Sequence, residues 1–72
     1  MKKVELRKNT ITDCGDIITK VVVLEPTERG TTKVTTGSLD GSVEWKDHVL
    51  RMDIYDVANC YIATGYKFYY VE

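Results

Sequence analysis

Hydrophobic and polar positions alternate at the start of the chain, with Val4 and Leu6 on one side and Lys3, Glu5 and Arg7 on the other. That period of two predicts a short strand over 2–8 with one wet face. A polar connection, 9–16, follows, with Cys14-Gly15-Asp16 as its turn signal. Residues 16–25 carry Ile17, Ile18, Val21, Val22, Val23 and Leu24, apolar and β-branched on both faces. Such a run predicts a central strand. Pro26 ends it, because proline cannot donate to a sheet ladder. Pro26 to Gly30 has the length of a hairpin loop, and 31–36 returns with Thr32, Val34 and Thr36 on one face.

Gly37 to Gly41 forms a second predicted turn, and 42–46 a short strand with Val43 and Trp45 directed inward. The stretch 47–64 supports two readings. As a helix it has an N-cap in Asp47, a stop at Gly65 and an apolar face of Leu50, Ile54, Val57, Ala58 and Tyr61. As a strand, 48–56 alternates, with Leu50, Met52 and Ile54 in and Arg51, Asp53 and Tyr55 out. Few residues here are good helix formers, so the strand is preferred, with 56–59 as the next turn.

Residues 60–72 hold Tyr61, Tyr66, Tyr69 and Tyr70, four of the five tyrosines, and the only phenylalanine. Aromatics favour a pleated surface, so a long bent strand with a bulge at Gly65 is expected, and a hairpin at Thr64-Gly65 is the alternative. Phe68 is core in both registers and Lys67 is wet. The fold expected is all-β, a small antiparallel sheet or partly open barrel of five to six strands. The alternative is α+β with one helix at 47–64. Trp45, Val22, Leu50 and Phe68 are the expected core.

Seventy-two residues make one small domain. A chain this short buries only about 60% of its unfolded surface, so a homodimer is an expected source of added stability. Cys14 and Cys60 are too few for a disulfide framework. The start, Met1-Lys2-Lys3, is not an apolar leader, and no run is long enough for a membrane span. Free thiols in a cytoplasmic protein are therefore expected, Cys60 as a small buried hydrophobe and Cys14 exposed. The net charge is −1, which gives no overall polyanion-binding field. Residues 1–36 nevertheless carry seven Lys/Arg against five Asp/Glu, with a cluster at Lys2, Lys3, Arg7 and Lys8. A solvated strand accounts for that cluster, and an anion-binding edge is the alternative.

Motif chemistry is sparse. Cys14, His48 and Cys60 have no metal-binding spacing. Asp47 and His48, adjacent on a strand, point to opposite faces and cannot form a dyad. The glycines of 37–41 lack both the spacing and the lysine of a phosphate cradle. The chain is thus expected to be non-catalytic, with no cofactor or metal. If the strands carrying Arg51 and Tyr55 and carrying Lys67 and Tyr69 pair, two aromatics and two cations share a wet face. Tyrosine and arginine dominate binding hot spots. Ordinary cross-strand pairing for stability is the competing explanation.

Two functions fit such a patch. The first is a protein-interaction module, an accessory or inhibitory protein of the phage or mobile-element kind, that acts by occupying a partner protein. The second is a small β-barrel that binds a nucleotide or single-stranded nucleic acid through Arg51, Tyr55, Lys67 and Tyr69. The low charge favours the first.

Overall fold

A computed structural model describes residues 2–72. Five strands and one helix follow in the order β1 (Val4–Ile11), β2 (Ile17–Pro26), β3 (Thr32–Ser38), β4 (Lys46–Leu50), α1 (Ile54–Ala63) and β5 (Lys67–Val71). All strands are antiparallel in one sheet of order β4-β3-β2-β1-β5. The fold is therefore mostly β, the small antiparallel sheet the sequence predicts, with a single helix added. β2 is central, as its two-sided apolar run requires, and the Pro26–Gly30 loop returns it to β3 with Leu24 opposite Val34.

The register puts even-numbered residues of β1 to β3 on the face that α1 covers. Val4 pairs with Leu24, Leu6 with Val22, and Leu24 with Val34. These five form the core with Ile54, Val57 and Ala58, which recur at helical spacing on α1. Tyr61 and Tyr66 pack against that cluster, and Leu50 closes its β4 side. The buried Thr32 hydroxyl donates to the Met52 carbonyl at 2.7 Å, tying β3 to the segment that leads into α1.

Both readings of 47–64 are partly right. Lys46–Leu50 is a strand, but the chain then turns and Asp53, rather than Asp47, caps the helix, accepting from the Tyr55 amide at 3.2 Å. Cys60 to Ala63 continue that helix, so the long aromatic strand expected over 60–72 shortens to Lys67–Val71. The helix ends where Gly65 predicts a stop, with Gly65 at φ +103°. The Gly65 amide donates to the Ile62 carbonyl at 3.0 Å and the Tyr66 amide to the Tyr61 carbonyl at 3.2 Å. Those two bonds define a Schellman cap, and its apolar contact is the edge-on Tyr61–Tyr66 pair at 5.3 Å. Lys8 reaches across from β1 to donate to the Thr64 carbonyl at 2.6 Å.

Several inward assignments fail. Trp45 and Phe68 are about half exposed (47% and 53%), and Val43 is exposed. Cys60 lies on the outer side of α1 and is exposed, as is Cys14. Phe68 sits opposite Leu6 on the helix side, but on the edge strand beyond the cover of α1.

Burial raises the phenols of Tyr61 and Tyr66 above their ordinary value of 10.0. A group whose folded pKa is raised lends stability below its unfolded pKa and loses it as pH rises through the folded one. Denaturant midpoints should therefore fall as pH climbs beyond about 10. Tyr66→Phe should flatten that decline, and an identical alkaline profile in the variant would separate the cap from it. Leu24→Ala should cost about 2–5 kcal/mol in the same denaturation experiment. A smaller loss would mean that β2 is not the centre of the core.

Candidate functional site

The odd-numbered residues of β1 to β4, with Lys67, Tyr69 and Tyr70 of β5, form a second face, away from α1. Across its middle the register aligns Gly37, Val21 and Arg7, with Lys67 opposite Arg7 on β5. Trp45, immediately before β4, packs its indole against Gly37: a Cβ there would clash with three of the ring carbons. Only glycine leaves room for this contact. The turn that brings Trp45 back is organised by Asp40, whose carboxylate accepts from the Ser42 hydroxyl at 2.7 Å, the Ser42 amide at 3.0 Å and the Ser38 hydroxyl at 2.8 Å. The Ser42 bonds, then Ser38, hold that carboxyl below its usual range.

At the other end of the row, the Arg7 guanidinium lies 3.4 Å from the centroid of the Tyr69 ring. Glu5 Oε2 accepts from Arg7 Nε at 2.6 Å and fixes its orientation. Cation–π stacking of this kind contributes about 0.5–1 kcal/mol at an exposed site. A bulge in β5 makes the stack possible. Glu5 pairs with Tyr70 and Leu6 with Phe68, so Tyr69 is an extra residue between them and turns to the outer face beside Arg7.

Next to the stack is an open hollow of about 550 Å³, bordered by Arg7, Lys8, Asn9, Thr19, Lys67 and Tyr69 among others. Its only charged lining residues are the three cations. The Thr19 hydroxyl donates to the Asn9 side-chain oxygen at 2.8 Å across its floor. The β1–β2 hairpin runs on past this hollow, with Ile11 and Ile17 paired near its tip and 77% and 69% exposed. Val49, Tyr69 and Tyr70 add exposed apolar area on the sheet. Monomeric proteins seldom leave large apolar patches bare unless a partner uses them.

The structure divides the four residues expected to form one patch. Lys67 and Tyr69 stand together beside the hollow. Arg51 lies in the bend after β4, and Tyr55 is an exposed residue in the first turn of α1. The pairing that would unite the four does not occur, because β4 and β5 occupy opposite edges of the sheet. Arg7 takes the cationic position beside Tyr69 instead. The basic cluster at Lys2, Lys3, Arg7 and Lys8 is the sequence signal that points to it.

The class these features define is a small α+β domain, one antiparallel sheet with a helix on one face and an aromatic, cationic surface on the other. No protein-family model matches the chain, and no curated protein or solved structure matches it. No helix of the described residues is long and apolar enough to cross a membrane.

Trp45 is the only tryptophan, so its fluorescence reports the Gly37 platform alone. Gly37→Ala should shift its emission to the red as the added methyl lifts the indole from the sheet. Unchanged emission would show that the ring does not rest there.

Proposed function

We propose that this chain is a small, non-catalytic protein-interaction module that occupies a partner protein with the uncovered face of its sheet. The observation that carries this reading is the row from Trp45 over Gly37 to Arg7 on Tyr69, which spans the face that α1 leaves bare. Tryptophan, tyrosine and arginine are the residue types that carry most interface energy. Both ends of the row are held before any partner arrives, Trp45 by its glycine seat and Arg7 by Glu5 and Tyr69. Preorganisation of that kind lowers the cost of ordering side chains on binding. The same geometry supports an accessory or inhibitory role, since covering a partner's surface requires no chemistry from the chain.

The hollow beside Tyr69 favours a second reading. A volume of about 550 Å³ falls in the range of small-molecule sites, and cations beside an aromatic ring suit a nucleotide or a short single strand. The chain's net charge of −1 weighs against a long polyanion, whose binding needs many phosphate contacts.

A photo-crosslinking residue at Tyr69, introduced in the native host, should yield a discrete adduct with a protein other than a second copy of this chain. The same residue at Glu28, in the loop between β2 and β3, should not. Equal labelling from both positions would remove the outer face as the docking surface. Affinity for the captured protein should fall only gently with added salt, and a steep decline together with nucleic acid in the adduct would favour the second reading. Tyr69→Ala should weaken binding by more than about 1 kcal/mol.

A further inference from the structure

β5 closes the sheet at one edge, and all five of its residues, Lys-Phe-Tyr-Tyr-Val, are exposed. Edge strands usually carry charges or prolines that block pairing with another chain. Here four of the five residues are apolar or aromatic, and Lys67 is the only charge.

The hydrogen-bond alternation fixes which backbone groups of β5 face outward. The Thr12 amide donates to the Asp16 carbonyl, so the even-numbered residues of β1 direct their backbone groups at β2 and the odd-numbered ones at β5. Phe68 and Val71 lie opposite Leu6 and Val4, and their own N–H and C=O groups therefore point away from the sheet. Glu72 agrees, because its amide donates inward to the Lys3 carbonyl at 2.8 Å.

We infer that β5 joins β5 of a second copy of this chain about a two-fold axis, making one continuous ten-stranded sheet. A two-fold antiparallel pair uses both outward groups in one register, Phe68 opposite the second copy's Val71 and Val71 opposite its Phe68. That register has three further consequences. Lys67 comes opposite Glu72 of the other copy, so the only charges of the segment meet as two opposite pairs. Phe68 and Val71, 53% and 50% exposed on the helix side, cover each other where α1 does not reach. Tyr69 and Tyr70 meet across the axis on the outer side. The axis runs perpendicular to the sheet, so both helices share one side and both Trp45–Arg7 rows share the other. The recognition face is thereby doubled without being covered.

The test uses the purified chain alone, in reducing buffer so that Cys14 and Cys60 form no cross-link, and its failure leaves the partner-binding reading standing. Sedimentation over a concentration series should show reversible association to twice 8.2 kDa. Lys67→Glu should raise the dissociation constant roughly tenfold, by turning two attractions into two repulsions. Combining it with Glu72→Lys should restore association. Val71→Pro removes one outward amide and should leave a folded monomer by circular dichroism. A wild-type chain that stays monomeric at about 100 μM, a concentration that detects even weak association, overturns the inference. So does a dimer indifferent to the charge swap and to Val71→Pro.

Discussion

A ten-residue helix must serve a five-stranded sheet, and most of the molecule's character follows from that mismatch. Ten helical residues extend about 15 Å, whereas five strands side by side span about 19 Å and expose two faces. α1 lies over β1 and β2, where Val4, Leu6, Val22 and Leu24 meet Ile54, Val57 and Ala58. Among the described residues nothing comparable covers β5 or the opposite face. The main cluster is consequently one-sided, with Val21 the one buried apolar side chain among the described residues of the outer face, and Trp45, Val49, Tyr69, Tyr70, Phe68 and Val71 about half exposed or more around it.

The capping of α1 shows how that one element is held. Its residues include isoleucine, valine, asparagine, cysteine and two tyrosines, which are indifferent helix formers. The Asp53 cap, the Gly65 Schellman turn and the Lys8 bond to the Thr64 carbonyl satisfy its ends, and the core supplies the rest. Lys8 has a further part, since Arg7 beside it carries the outer-face stack. Adjacent residues of one strand thus serve the helix cap and the outer-face stack, as the strand's period of two allows, while Lys8 also borders the hollow.

Much of this architecture was legible in the chain. Alternation located β1, and the apolar run with Pro26 and Gly30 located the β2–β3 hairpin and its central strand. The helix pattern at Ile54, Val57, Ala58 and Tyr61 was visible too, but propensity argued for a strand, and tertiary burial outweighed it. Size suggests burial for Trp45 and register suggests it for Phe68, whereas their exposure depends on Gly37 across the sheet and on which strand is at the edge. Strand order is a non-local property, and it decides the site. It separates Arg51 and Tyr55 from Lys67 and Tyr69, and it brings Arg7, sixty-two residues earlier in the chain, onto the Tyr69 ring.

α1 covers one face of the sheet and leaves the other uncovered, apart from the Trp45–Arg7 row. Relaxation of side-chain NMR signals by a soluble gadolinium chelate measures this directly. Trp45, Val49, Ile11 and Ile17 should be strongly relaxed, and Leu24, Val34 and Val57 nearly untouched. Equal protection of Trp45 and Val49 with Leu24 would mean that the outer face already has a cover.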